Sequence, residues 1–530
     1  MSHSPIASLL KKMFSDALSN DPQSKELFCR NLESRRKFLR DTAYTAGGLL
    51  AAPALFRHRN PDQDSSQRRE VAIVGGGMAG LNACYQLGKM GIRSRIYEAS
   101  GRTGGRMYTL KDAFWPGLTT DVGGEFVDTS HAEILHLVKE LGLELYDLRK
   151  DRLLPKELYF GGAHLSNRDL ISAFKPHIKQ LVMDIGSLPH SINYKTGASF
   201  SRLDNLSITE YLGSIGIRGW LYDFIQVVLT REYGMESSEQ SAINFLIMFT
   251  PPAAAGSYYE MFGDDHEVYK IKGGSQHLVD TLYDKVKDHV TLGKKLVSIS
   301  TLPAGGYALS FENGKTPSVI EADQVLLTLP FTVLRKIQLN VPMPAEKRKC
   351  IDELGYGNSC KFIMGFNGKP WRDAGRQGYT FTDISFGCGW DSTQSQSDKQ
   401  GSFTVFGGGD FGERILNTRN EDLSGEFVQG LETIYPGAKL AYNHKNISYY
   451  WRQNPFSLAG YSAYRKGQCS RLAGWEGVPV GNIHFAGEHV SRDFQGYMNG
   501  AAQTGRQAAA SIALALKRGH IIKHAGSGSQ

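Results

Sequence analysis

The first strongly patterned stretch of the chain is "VAIV" at Val71–Val74. Four apolar residues in a row, with no polar alternation, predict a strand buried on both faces. After a cluster of glycines, a helix with apolar faces is predicted to about Met90, and a second apolar strand at "SRIYEA". Between 130 and 250 the period lengthens, as in "AEILHLVKELGLEL", where apolar residues return every three or four positions. That spacing predicts amphipathic helices. Alternating and β-branched runs at 320–330, 359–366 and 402–407 predict more strands. Near the end, "QGYMNGAAQTGRQAA" at 495–509 reads as a glycine turn entering a helix of small residues. No repeat or long low-complexity segment interrupts the pattern. The fold class this predicts is α/β, α+β overall.

At 530 residues the chain has room for two or three domains. The net charge of +7 changes the picture little once it is located. Residues 1–54 hold eight Lys and Arg against five Asp and Glu, which leaves a surplus of only four for the rest. So small a balance over so large a body argues against a nucleic-acid partner. Cys29, Cys84, Cys350, Cys360, Cys388 and Cys469 form no CxxC pair, and read as small buried hydrophobes, not as a zinc site or a disulfide framework.

Residues 34–40, "SRRKFLR", precede a weakly apolar, glycine-containing run too short to span a bilayer comfortably. Arg35, Arg36, Phe38 and Leu39 resemble a twin-arginine export signal, with "APA" at Ala52–Ala54 as its cleavage site. The resemblance implies the twin-arginine export machinery as a partner and a periplasmic or extracellular location. That pathway carries folded proteins and suits a chain that loads a cofactor first. Residues 55–69 read as a polar linker.

The glycine cluster is Gly75-x-Gly77-x-x-Gly80, set between the strand and the helix, and the second strand ends in the acid Glu98. This is the βαβ pattern of a dinucleotide site. Gly75 makes the tight turn, Gly77 lets a pyrophosphate approach the backbone, and Gly80 lets helix pack on strand. The helix N-terminus offers N–H groups to the phosphates, and Glu98 accepts hydrogen bonds from ribose hydroxyls. The turn that follows, "EASGRTGGR" at 98–106, resembles that of the flavin-containing amine oxidase family. The resemblance extends from residue 70 to about 516 through "DVGGEFVD" at Asp121–Asp128, "KGGSQHLVDTL" at Lys272–Leu282, "KKLVSI", "ADQVLLTLPFTVL", "GNSCKFIMGF", "SLAGYSAY" and "IHFAGEHVSRDFQGYMNGAAQTGRQAA".

The resemblance implies noncovalent FAD, since Gly460 stands where some members carry a flavin-bonded cysteine. It implies FAD contacts at Gly75, Gly77, Met78, Ala79 and Gly80, and at Glu98 and Ala99. Arg102, Gly105 and Arg106 cover the pyrophosphate, and Val297 brackets the adenine. Gly123, Gly124, Glu125 and Phe126 pass beside the isoalloxazine, and Trp451 packs near it. Gly487 and Glu488 reach the ribityl chain, and Gly496, Tyr497 and Met498 open a helix aimed at the flavin. The resemblance implies a discontinuous Rossmann-like FAD-binding domain with a mixed-sheet substrate domain and a helical insertion. The boundaries read as 1–54 signal, 55–69 linker, 70–165, 265–330 and 481–518 for the FAD domain, 166–264 helical, 331–480 mixed sheet, and 519–530 tail.

The implied reaction moves hydride from the carbon bearing an amine to flavin N5. Water then hydrolyses the imine to an aldehyde or ketone with release of ammonia, and molecular oxygen becomes hydrogen peroxide. Lys361 matches the family lysine that contacts N5 through a water, and an unpaired lysine in that apolar strand would be costly. Tyr461 and Tyr497 match the aromatic pair that flanks the substrate nitrogen. The arginine with which L-amino acid oxidases of the family pair a carboxylate falls at Phe126, so a primary amine or polyamine is the first expectation. An L-amino acid oxidase with a displaced anchor at Arg231 or Arg465 is the second. Asp128 or Glu125 is a candidate for a distal ammonium. A flavin-binding protein with little turnover is the reading from another class. Residues 250–265 read as a lid or a static loop, and a homodimer is left open.

Overall fold

The computed structural model describes residues 13–30, 70–249, 268–312, 317–397 and 399–526, with side chains to residue 517. The twin-arginine stretch, the cleavage site, the 55–69 linker and the 250–265 segment lie outside the described residues.

Val71–Val74 is the central strand of a five-stranded parallel sheet. Ser94–Tyr97 and then Val290–Thr291 lie on one side of it, Val325–Leu327 and then Ile483–Phe485 on the other. The unbroken apolar run has a direct cause. Val71 and Ile73 pack on a layer containing the helices Met78–Lys89, Ser275–Val286 and Met498–Gly526. Ala72 and Val74 face the opposite layer, built on the sheet of Ser318–Ala322, Tyr307–Glu312, Lys295–Thr301 and Gln338–Asn340. The small residues of the last helix bring it against the first: a Cβ on Gly505 would lie 2.3 Å from the Ala79 carbonyl oxygen. Asn82 Nδ2 donates across the same contact to the Ala502 carbonyl at 2.8 Å.

The other large sheet has seven strands in the order Tyr442–Tyr450, Cys360–Phe366, Gly401–Gly407, Cys388–Asp391, Arg376–Thr382, Leu154–Phe160 and Ala163–His164. Leu154–Phe160 pairs in parallel with Arg376–Thr382, so the substrate sheet begins before the boundary expected at 166. Two small ladders bridge the large sheets. Thr109–Lys111 pairs with Thr119–Asp121, and Tyr269–Ile271 lies between Phe126–Val127 and Leu145–Asp147. They place the 121–128 loop between the nucleotide sheet and the strand Cys360–Phe366.

Helices between Asn167 and Phe249 form the insertion predicted from the lengthened period. Its core contains an unexpected contribution, because Met13, Phe14, Ala17, Leu18 and Phe28 are buried in it. The Phe14 ring, 0 % exposed, lies 4.7 Å from the Phe249 ring and 5.2 Å from that of Phe28. Residues 13–30 are therefore part of the fold, a correction to the expectation that all of 1–54 is a signal region. Phe14→Ala is expected to destabilise this domain by about 3–5 kcal/mol, the usual effect of emptying a buried phenylalanine site. Thermal unfolding with limited proteolysis of the helical region checks it, and an unchanged melting profile would refute the packing.

The last helix continues to Gly526, past the boundary expected at 518. Among the described residues all six cysteines are free, five buried and Cys29 exposed. No described helix is long and apolar enough to cross a membrane.

Candidate active site

A cavity of about 420 Å³ runs from the glycine turn after Val74, past Lys361, to Tyr461 and Tyr497. At its nucleotide end Gly75 has φ +108°, which only glycine adopts readily. A Cβ on Gly80 would sit 2.0 Å from the Gly75 carbonyl oxygen, so helix and turn touch backbone to backbone. Gly77 caps the helix Met78–Lys89 without a side-chain bond, and a Cβ there would meet nothing within 4 Å. Bare backbone at an open helix N-terminus is what a pyrophosphate requires. The Glu98 carboxylate is held by the amides of Gly76 at 2.6 Å and Ser100 at 2.8 Å, and faces the same space. These residues fit the adenosine and pyrophosphate half of FAD.

Further along, Glu488 gathers four donors. Its carboxylate accepts from Arg106 Nη1 at 2.8 Å, Ser462 Oγ at 2.8 Å, the Ser462 amide at 3.2 Å and the Gly496 amide at 2.9 Å. Burial alone would raise this carboxyl, but Arg106 and these donors hold it below its ordinary value. Arg106 also donates to the Gly460 carbonyl at 2.6 Å. Trp451 Nε1 donates to the Val122 carbonyl at 2.9 Å and fixes the loop beside the cavity.

The Lys361 ammonium has three hydrogens and finds three acceptors. They are the carbonyls of Asp121 at 2.8 Å and Gly123 at 3.0 Å and Glu125 Oε2 at 2.7 Å. Lys270 Nζ takes the other Glu125 oxygen at 2.7 Å, and Trp390 Nε1 donates to Oε2 at 3.2 Å. Burial pushes the Glu125 carboxyl up, and the two lysines more than reverse it, leaving it below the usual range.

At the far end, Tyr461 and Tyr497 are both anchored on the last turn of the helix Gly219–Tyr233. Tyr461 Oη donates to the Arg231 carbonyl at 3.0 Å, and Tyr497 Oη to Glu232 Oε1 at 3.1 Å. Consecutive residues thus set the spacing of the two rings. His131, buried, meets the Tyr497 ring edge-on at 5.2 Å and holds it from behind. Phe126, Tyr379, Trp390 and Phe406 complete an aromatic wall, with Phe126 and Trp390 5.5 Å apart.

A family profile described as flavin containing amine oxidoreductase matches residues 78–513. The chain belongs to that family. It is 24% identical over 483 residues to a putative L-amino-acid oxidase of Bacillus subtilis (strain 168), covering 86% of this chain and 96% of that one. To the human flavin-containing amine oxidase B it is 25% identical over 475 residues, 85% and 87% of the two chains. To a nicotine dehydrogenase of Pseudomonas putida it is 24% identical over 497 residues, 90% and 97%. The fold is that of a putrescine oxidase solved with putrescine bound, with TM-score 0.72, 21% identity and 84% and 99% coverage. A cyclohexylamine oxidase from Brevibacterium oxydans superposes with TM-score 0.73 at 20% identity, covering 85% and 100%. The protein is an FAD-dependent amine oxidase.

As a member of this family it uses FAD, and Gly460 offers no thiol for the covalent bond that some members make. A side chain at Gly460 would meet Ser359 Oγ at 2.8 Å, so a flavin-bonded cysteine has no room there. Cys360 also lines the cavity, but its thiol donates to the Gly407 carbonyl and burial pushes its pKa up to about 12.

Most residues expected at the flavin line this cavity, from Gly75, Gly77, Met78 and Ala79 to Gly487, Tyr497 and Met498. Several depart from expectation. Arg102 bonds the carbonyls of Thr103 and Gly105 and lies over the Tyr108 ring, and Arg106 is held by Glu488, so both brace loops before they meet any phosphate. Gly80, packed on the Gly75 carbonyl, and Ala99 and Val297 are not in the lining. Val297 is 40 % exposed, at a bulge in its strand. The amides of Gly496 and Tyr497 are already bonded to Glu488 and the Phe494 carbonyl, so the helix N-terminus open to a ligand starts at Met498.

Four substrate candidates are also displaced. Asp128 is fully buried beside His131 and does not line the cavity, and Glu125 is held by two lysines. The Arg231 guanidinium turns away from the cavity onto the Phe411 ring, 4.1 Å from its centroid. Arg465 pairs with Glu239 at the half-exposed surface.

Sequence reasoning missed Glu232, His131, Lys270, Tyr379, Trp390 and Phe406. Lys270 had a signal, two residues ahead of the quoted "KGG". The others sit in ordinary helical or strand pattern.

Proposed function

We propose that the substrate is a primary amine or polyamine without a carboxylate, that oxygen accepts the electrons, and that the enzyme is exported by the twin-arginine pathway. The observation that carries the substrate class is the charge of the tyrosine slot. Its acid is Glu232, and the lining arginines, Arg102 and Arg106, are bonded elsewhere. An α-amino acid would bury its carboxylate beside Glu232 with no guanidinium to meet it, which is strongly unfavourable. A second ammonium on a diamine or polyamine would find a partner in Glu232.

Bound FAD supplies the acceptor for the hydride equivalent from the carbon bearing nitrogen. The protein's part is to present that carbon correctly. Tyr461 and Tyr497 form an apolar slot that favours the neutral amine over ammonium. The aromatic wall of Phe126, Tyr379, Trp390 and Phe406 keeps water away until the imine leaves to be hydrolysed. The L-amino acid reading loses both of its anchors, Arg231 and Arg465. Lys361, buried in the cavity wall, favours turnover over a passive flavin carrier.

Anaerobic mixing with mono-, di- and polyamines and L-amino acids tests the reading. Amines should bleach the flavin, and amino acids should not. Glu232→Gln should lower kcat/KM for diamines about tenfold or more, with monoamines affected less. Bleaching by amino acids alone would overturn it.

For export, the supporting pattern is Arg35-Arg36 with Phe38 and Leu39 in a cofactor-loading protein. Residues 13–30 belong to the enzyme in this reading. Cleavage after Ala54 would leave them attached by packing alone. Cell fractionation with the Arg35→Lys, Arg36→Lys double variant checks it. Equal distribution of both forms would remove the proposal.

A further inference from the structure

Glu125 lies in the loop between the nucleotide sheet and the lysine strand, and two lysines from different sheets converge on it. Lys361 comes from the strand Cys360–Phe366, Lys270 from the bridging strand Tyr269–Ile271. The three side chains are 2 %, 6 % and 4 % exposed for Glu125, Lys361 and Lys270. Two ammonium groups cannot share so dry a space without an anion. Lys361 lines the cavity, and Lys270 stands behind Glu125, held also by the Ser392 carbonyl at 2.5 Å. The three acceptors hold the Lys361 ammonium at the cavity wall, where its charge would act on bound FAD.

We propose that Glu125 is a positioning residue that keeps Lys361 as a fixed ammonium at the oxygen-reactive end of the cavity, and that Lys270 prevents the pair from being neutral as a unit. The proposal rests on the oxidase reading. Reoxidation passes two electrons and one proton from the anionic reduced flavin to dioxygen, and a second proton from solvent completes hydrogen peroxide. The first electron makes superoxide, an anion, and a preorganised cation favours that step. The other ionisable group against the cluster, among the described residues, is Asp121. Its carboxyl turns to Ser275 and Thr109, while its carbonyl faces Lys361. Burial and the nearby Glu125 charge raise it above the usual range. Trp390 covers the Lys361 ammonium, with the ring centroid 5.3 Å away.

The test uses holoenzyme reduced with dithionite, so it does not depend on which amine is the substrate. Reoxidation by oxygen is followed from pH 6 to 10 in the wild type, Glu125→Gln, Glu125→Asp and Lys270→Met, with the midpoint potential of bound FAD. Lys270→Met should reoxidise roughly tenfold more slowly at every pH, with a more negative midpoint potential, because one positive charge is gone. Glu125→Gln should also reoxidise roughly tenfold more slowly, because Lys361 loses the acceptor that fixes it at the cavity wall. Glu125→Asp should restore the rate. A purely structural Glu125 would lower FAD content or melting temperature without changing the rate or potential of the FAD-loaded enzyme. If Glu125→Gln cannot retain FAD, Lys270→Met and Glu125→Asp decide. A wild-type potential and rate in Lys270→Met, or a wild-type rate in Glu125→Gln, overturns the proposal. If wild-type enzyme reacts sluggishly with oxygen, the oxidase reading fails, and the potentials of Lys270→Met and wild type still judge the charge assignment.

Discussion

Replacing Lys361 by methionine should slow the reaction of the reduced enzyme with oxygen by about a hundredfold, the scale of losing one preorganised electrostatic group. Methionine keeps the length and apolar stem of the side chain but removes the charge. Three acceptors lose their donor, the carbonyls of Asp121 and Gly123 and one Glu125 oxygen. Glu125 remains satisfied by Lys270 and the Trp390 indole, so the loop should hold its course. The effect should exceed that of Lys270→Met, because Lys361 lines the cavity and Lys270 does not. Flavin reduction by amine, which relies on the tyrosine slot, should change by less. Stopped-flow measurement of the two half-reactions separates them, and equal reoxidation rates in variant and wild type would take Lys361 out of the chemistry.

Acid should unfold the protein through His489 and Glu488. His489 is fully enclosed, and neither ring nitrogen has a hydrogen-bond partner among the described residues. Burial depresses its pKa to about 3, against 6.5 when unfolded. Between those values the unfolded chain binds a proton that the native state refuses, so stability falls as pH drops from 6.5 toward 3. At 1.36 kcal/mol per unit the full span is on the order of 5 kcal/mol. Glu488 adds the same sign. Its folded carboxyl is held low, and the stability it contributes above the unfolded pKa is lost as pH falls through the folded value. His489→Leu should flatten the upper part of the acid transition, between pH 6.5 and 5, in urea titrations. Superimposable transitions in variant and wild type would exclude this origin.

The legible parts of the site were the local ones. Gly75, Gly77 and Gly80 declare a turn and a close approach within six residues, and the strand and helix on either side confirm them. The Tyr461 and Tyr497 segments and the Lys361 strand were recognisable by short motifs, and all three side chains meet at one cavity. Partners drawn from ordinary pattern were illegible. Glu232 reads as the polar face of a helix, Trp390 as one more strand aromatic, and Phe14 as an expendable leader. Arg231 and Asp128 were plausible by charge alone. The direction of each side chain from its element sends one to the Phe411 face and the other beside His131.

By itself the sequence determined the nucleotide turn and the strand and helix beside it, because periodicity and glycine spacing depend on neighbours a few residues away. The resemblance of its short motifs, not their periodicity, pointed to the family and singled out Lys361. Tertiary structure alone decided what charge surrounds that lysine and what spaces the tyrosines. Glu125 and Lys361 are 236 positions apart, Lys270 and Glu125 145, Tyr497 and Glu232 265. Such meetings are set by how two sheets and a helical insertion pack, and a carboxylate in the sequence carries no mark of the cations that will enclose it.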